Sequence, residues 1–334
     1  MSRHTKLTEL WTGLGMLGAP PPSDTLPFRP PELSGVDDET WAEVLAQSVE
    51  PTAHTVAIAA FENGRYFLDA RDALRGRTPL RIEWKGPHRT PGDEVAPVDL
   101  RVDHVYLVSC KYLSDITVNA SPSHLFDRLL TGGHGRRTGD WFDEVAADEH
   151  HELFRSSLAH LGLHETVRSP AELPQPRRKE IAHALAGRAW PASLQAGYES
   201  LVTTVSERSA IRWADALAAS GDHESMLWRL LRIGSAPYFV LGSSAHDHLR
   251  LRVGSPWDWR QTYGFRSLVV EPSRTGQPRV DWHASYVERS TGDERRVAGH
   301  VEIRWSHGRF SGPPEAKVYL DTPHRDVPGY FRLR

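Results

Sequence analysis

Lys111 ends an apolar run, Val105-Tyr106-Leu107-Val108-Ser109-Cys110-Lys111, and it is one of only five lysines among the 40 Lys and Arg residues of the 334-residue chain. In a chain that uses arginine for nearly every generic positive charge, a lysine kept at a strand end points to a need for an ammonium. An ammonium is a compact charge with a tunable pKa, whereas a guanidinium is a planar fork that stays protonated. Just upstream, Pro97-Val98-Asp99-Leu100-Arg101-Val102 reads as a second short strand carrying an acid. A carboxylate and an ammonium on neighbouring strands suit phosphodiester hydrolysis assisted by a divalent cation. The cation neutralises phosphate charge and acidifies a bound water.

Whether the two groups meet depends on register. Side chains alternate along a strand, so Ser109 and Lys111 share one face. A three-residue loop, Asp103-His104-Val105, pairs Asp99 with Ser109 and puts Asp99 on the face of Lys111. A two-residue loop, Asp103-His104, pairs Asp99 with Val108 and turns it away. The sequence leaves both registers open.

The elements that must position this pair follow from local patterns. Residues 6–17 read as a short helix, followed by a Pro-rich linker through Pro31. Helices are expected near 38–49 and 52–75, with Asn63-Gly64 as a breaking point in the longer one. Leu80–Lys85 alternates as a strand. The strands near 97–102 and 105–113 form a hairpin. Ser121 and Pro122 suit the start of a helix running to about Leu130. Residues 141–232 read as mostly helical. Short strands follow near 238–241, 249–253, 267–270, 280–289, 297–305 and 316–320. The expected segments are 1–35 (helix and linker), 36–135 (α/β core), 136–235 (helical) and 236–334 (β-rich).

The order helix, strand, acidic strand, strand ending in lysine, helix over residues 52–130 resembles the core of the PD-(D/E)XK nuclease superfamily, whose fold is restriction-endonuclease-like. The resemblance implies an α/β plus β chain: a mixed sheet flanked by helices, a helical middle segment and a mainly antiparallel C-terminal β region that binds substrate. Asp99 matches the metal-binding Asp of that family and Lys111 its lysine, with Cys110 between the last two motif positions. Ser109 departs from the pattern, because it stands where the second acid belongs and could instead hold a metal-bound water. Glu83 is the first candidate to replace that acid, followed by Glu62, Asp93 and Glu94. The activity implied is a Mg²⁺-dependent DNA endonuclease of restriction or defence type, with Mn²⁺ as an alternative ion and a homodimer as the way to cut both strands. The missing acid keeps a second class open: a nuclease-like scaffold that binds nucleic acid, or a complex subunit, without cleavage.

Candidate DNA contacts are Asn119 and Ser121 after the lysine strand, Arg136 and Arg137 in a glycine-rich loop, Arg250 and Arg252 on one strand face, Arg260 among Trp257, Trp259 and Tyr263, and Arg309 at a turn. Arginine and aromatic side chains together suit phosphate contact and base stacking. Net charge is −3, yet residues 1–50 hold three basic and eight acidic side chains against fourteen and ten in 251–334. Histidines recur at His150-His151-Glu152, His160 and His246-Asp247-His248, with no third metal ligand at a diagnostic spacing. Gly13, Gly15 and Gly18 match the letters of a dinucleotide-binding loop, but a helix precedes them and prolines follow, so that reading is set aside and the segment is expected to be flexible. Cys110, the single cysteine, excludes an intrachain disulfide and a multi-cysteine zinc site and is expected to be a small packed side chain. With no apolar stretch of ~20 residues and no signal-peptide pattern, the expectation is a cytoplasmic protein away from membranes.

Overall fold

The computed structural model describes residues 3–22, 28–86, 97–112, 116–128, 139–164, 166–187, 189–243, 248–273 and 276–334. In chain order the main elements are α1 (Arg3–Met16), β1 (Leu33–Ser34), α2 (Asp38–Ser48), α3 (Pro51–Asp69), β2 (Ile82–Trp84), β3 (Leu100–Val102), β4 (Tyr106–Tyr112) and β5 (Ile116–Ala120). Next come α4 (Trp141–His160), α5 (Gln175–Ala184), α6 (Gln195–Ser220), α7 (His223–Leu230), β6 (Tyr238–Ser243), β7 (His248–Val253) and α8 (Pro256–Thr262). The chain ends with β8 (Tyr263–Pro272), β9 (Arg279–Glu288), β10 (Glu294–Arg304), β11 (Glu315–Leu320) and β12 (Tyr330–Arg332). The molecule is a mixed α/β chain with one mixed and one antiparallel sheet. Among the described residues no helix is long and apolar enough to cross a membrane.

Two compact units form, and they do not follow the linear segments expected from sequence. The first comprises Met1–Asp115, Arg232–Tyr263 and Pro323–Arg334; the second comprises Ile116–Leu231 and Gly264–Thr322. The reason lies in strand pairing. β4 pairs in parallel with β6, and a parallel neighbour needs a long crossover connection. β6 and β7 therefore leave the expected C-terminal β region and complete the sheet of the first unit, in the order β1-β2-β3-β4-β6-β7-β12.

Helix α1 is no flexible leader. Leu7, Leu10 and Leu14 are fully buried, and Trp11 is nearly so. Gly13 faces Ile82, Leu33 and Leu100 of the sheet, whereas Gly15 faces α3. A methyl group on Gly15 would lie 2.1 Å from the carbonyl oxygen of Phe61, and one on Gly64 would lie 2.0 Å from that of Thr12. Gly15, one of the glycines that imitate a nucleotide loop, thus lets α1 cross α3 at backbone contact with Gly64. This is also why Asn63-Gly64 does not break α3: its tertiary packing outweighs the low helix propensity of glycine.

Asn63 is fully buried and satisfied. It donates to Gly242 O (2.9 Å) and the Tyr112 hydroxyl (3.3 Å) and accepts from Arg250 Nε (2.8 Å). In the second unit, the antiparallel sheet runs β5-β11-β10-β9-β8. Its β5 falls where sequence suggested only a helix start, and the turn after it, His124–Arg128, is a short π-type helix whose His124 N–H bonds Ser121 Oγ.

Candidate functional site

The β3–β4 hairpin adopts the three-residue register. Leu100 pairs with Val108, Arg101 with Leu107 and Val102 with Tyr106. Asp103 and His104 take left-handed conformations, at φ 49° and 58°, and the turn closes through Val105 N to Val102 O. Val105 is the extra residue that moves the register by one. Asp103 Oδ1 accepts the amides of Leu80 and Arg81, which fixes the turn against β2.

That register decides the geometry. Ile82, Trp84, Leu100, Val102, Val108 and Tyr112 face the core under α1 and α3. Their alternates Glu83, Asp99, Arg101, Ser109 and Lys111, together with Lys85, share the opposite face. Lys85 N donates to Asp99 O at 3.0 Å, so one row across the sheet reads Lys85, Asp99, Ser109, Val240. Lys111 stands one step further along β4, opposite Gly242, where a Cβ would fall 1.7 Å from Lys111 O. Only glycine permits this strand approach beside the lysine.

Asp99 is half-buried and its carboxylate is partly committed. Oδ2 accepts the Cys110 amide at 2.6 Å and the Ser109 hydroxyl at 3.2 Å, leaving Oδ1 outside both bonds. Ser109 is 1% exposed, so this bond sits out of water. Glu83 is held differently. Lys85 Nζ lies 3.2 Å from Oε1, while Arg101 donates to Oε2 through Nε at 2.9 Å and Nη2 at 2.6 Å. To bind a metal, Glu83 would have to exchange these partners. Glu62 is exposed on α3, and Asp93 and Glu94 lie outside the described residues. Cys110 packs against the core, and burial followed by the nearby Asp99 charge pushes its thiol well above the usual range, away from nucleophilic use.

Lys85 is the site residue that sequence reading passed over. It is 7% exposed, a rare state for lysine, and sits beside Asp99. The signals were present: it is another of the few lysines, and alternation along Glu83-Trp84-Lys85 puts it on the face of Glu83.

Partial burial pushes the Glu83 carboxyl up, but the Arg101 and Lys85 hydrogen bonds prevail and hold it below the ordinary range. A depressed folded-state pKa contributes stability above the unfolded value and loses it as pH falls through the folded one. Glu83→Gln is therefore expected to melt below wild type at neutral pH. The two melting temperatures converge in acid, below the ordinary glutamate pKa of ~4.3. A gap independent of pH would contradict the pairing.

Arg250, Arg252 and Arg309, chosen as DNA contacts, have partners within the protein. Arg250 holds Asn63 and stacks 4.2 Å over the Tyr66 ring. Arg252 shares its strand face and lies 3.7 Å from Asp258. Arg260 is exposed on α8 beside buried Trp259 and exposed Trp257. Arg136 and Arg137 lie outside the described residues, as does His246. Arg309 donates to Leu185 O at 2.6 Å, Gly187 O at 3.1 Å and Ala189 O at 3.0 Å and sits over Trp190. Arg309→Ala should therefore destabilise the second unit by about 2–3 kcal/mol, at ~1 kcal/mol per lost hydrogen bond. Arg309→Lys should not restore it, since an ammonium lacks the fork. Thermal unfolding of the three proteins checks this; an unchanged Arg309→Ala would contradict it. Asn119 and Ser121 line a cavity of about 570 Å³ in the second unit with Gln175, Lys179, Trp305 and Glu315.

The second unit also contains a group that could hold a metal ion: Asp143, His150 and His151 place their candidate ligand atoms within 4.8 Å of one another. Asp143 is the third candidate ligand that the sequence did not reveal.

The chain matches no protein-family model, no curated protein and no solved structure. Function must therefore be argued from these side chains.

Proposed function

We propose that the chain is a Mg²⁺-dependent DNA endonuclease of the PD-(D/E)XK type, acting at the Asp99–Lys111 face of the mixed sheet. What carries the reading is the hairpin register, with Asp99, Ser109 and Lys111 on one face. Helix, strand, acidic strand and lysine strand in sequence (α3, β2, β3, β4) support it, as does the parallel partner β6.

The donor set suits a hard cation. Magnesium takes oxygen ligands and keeps several waters, needing only one or two carboxylates. Asp99 Oδ1 would hold it, with Glu83 joining if its ion pairs open. The ion would supply charge neutralisation at the phosphate and a more acidic water. The protein groups do the rest. Ser109 donates to Asp99 Oδ2 and fixes the carboxylate's orientation. The Lys111 ammonium orients the attacking water and stabilises charge developing on the phosphate. Lys85 and Arg101 hold Glu83 in place and add positive potential for a polyanion. Cutting both strands calls for two copies of the chain.

One observation favours the second reading, a nucleic-acid-binding scaffold without cleavage: both oxygens of Glu83 are paired with cations. Gel-shift and cleavage assays on the same DNA, with Mg²⁺, Mn²⁺ or EDTA, separate the two readings. Metal-dependent cutting supports the nuclease. Salt-sensitive binding that survives Lys111→Ala, with no cutting in any metal, supports the scaffold.

A further inference from the structure

The second unit holds a donor set of a different kind. Asp143, His150 and His151 all belong to α4. In an unbroken helix, positions seven or eight apart lie ~10–12 Å apart along the axis. Here the helix is broken at Ala146 (φ −151°, ψ 48°), and the kink folds Asp143 back onto the imidazoles. His150 Nδ1 lies 2.6 Å and His151 Nε2 3.0 Å from the same oxygen, Asp143 Oδ1. Successive helical residues point ~100° apart. Two adjacent histidines converge only because one presents its near nitrogen and the other its far one.

The surroundings fix these groups. His150 is 1% exposed and boxed by the rings of Phe142, Trp305 and Phe310, with centroids at 5.5, 5.9 and 5.8 Å. Its Nε2 is buried without a hydrogen-bond partner among the described residues. The ring thus keeps Nε2 inside the aromatic box and aims Nδ1 at the carboxylate oxygen 2.6 Å away. His151, aimed at the same point, makes it a three-ligand centre, and the 28% and 32% exposed side chains of Asp143 and His151 leave it an open solvent side.

We propose that Asp143, His150 and His151 bind a divalent transition ion of the Zn²⁺ class, pinning the α4 kink. Two imidazoles, one carboxylate and an open fourth position match zinc coordination. Nitrogen donors disfavour Mg²⁺, so the centre is distinct in chemistry from the Asp99 face. The rival reading is a plain hydrogen bond between the His150 imidazole and Asp143.

The test uses the full chain, stripped with chelator, loaded with ZnCl₂ in the presence of excess Mg²⁺, desalted and analysed for metal. Wild type is expected to retain about one more zinc per chain than Asp143→Asn or His151→Ala. Both substitutions are at partly exposed positions and should leave the fold intact by circular dichroism. Independently of the variants, Co²⁺ added to wild type should give the intense visible bands of four-coordinate geometry. Wild type without zinc after desalting, a His151→Ala protein holding as much as wild type, or only weak six-coordinate cobalt bands would overturn the proposal in favour of the plain hydrogen bond.

Discussion

Lys111→Ala should lower Mg²⁺-dependent DNA cleavage by about 10²–10³-fold while leaving the melting temperature nearly unchanged. That loss is typical when one preorganised electrostatic group is removed from a site of developing charge. The lysine is well placed for such a role, because its strand is held on one side by β3 and on the other by β6 at Gly242. Its position is then set by the sheet, with little reorganisation needed at the moment of reaction. Lys111→Arg should fail to restore activity, since a guanidinium neither shifts its pKa nor fits the space of an ammonium. Lys85→Ala gives the contrast. Lys85 is buried against Glu83, with its side chain 4% exposed, so truncation leaves a partly desolvated carboxylate short of a partner and lowers the melting temperature as well. A Lys111→Ala protein that cuts like wild type would remove that lysine from the mechanism. If Lys85→Ala alone lost activity, without loss of stability, the catalytic ammonium would be Lys85.

The second large effect is structural. Gly64→Ala should destabilise the first unit by about 2 kcal/mol or more, against a helix-propensity gain of ~1 kcal/mol from replacing glycine by alanine. The added methyl would lie 2.0 Å from Thr12 O and 2.9 Å from the Gly15 Cα. Both are backbone atoms, so relief requires α1 and α3 to move apart. That movement would loosen the packing of Trp11, Leu14 and Phe67, all at most 1% exposed. Gly312→Ala is the control, since a Cβ there meets nothing within 4 Å, and it should stay within ~0.5 kcal/mol of wild type. Denaturant unfolding compares the three; a Gly64→Ala protein as stable as wild type would mean that the helices do not cross at backbone contact.

Much of the local structure was legible from pattern. Alternation located the β3–β4 hairpin and most C-terminal strands, because period-two burial is a property of the sequence itself. The sheet to which each strand belongs was not legible. β6 carries no mark of its parallel pairing with β4, a contact made across more than a hundred intervening residues. The polar face around Asp99 was half legible. The two registers were both derivable, and one extra exposed residue, Val105, decided between them. The partners of Arg250 and Arg309 were not legible for a common reason. An arginine with a free surface and one that bolts loop carbonyls or an Asn look the same in sequence, and only the structure shows the partners. Asp143 escaped because its relation to His150 and His151 depends on the backbone break at Ala146, which no local propensity announces.

The most direct measurement of the central claim is conversion of supercoiled plasmid by wild type and Asp99→Asn side by side, in Mg²⁺, Mn²⁺ and EDTA. Asparagine keeps the shape and can still accept from Cys110 N and Ser109 Oγ, but it lacks the charge that holds a cation. The account predicts cutting by wild type in Mg²⁺ or Mn²⁺, none in EDTA, and none above background by Asp99→Asn at an unchanged melting temperature. Equal metal-dependent cutting by both proteins, or no cutting by wild type in either metal, would contradict it.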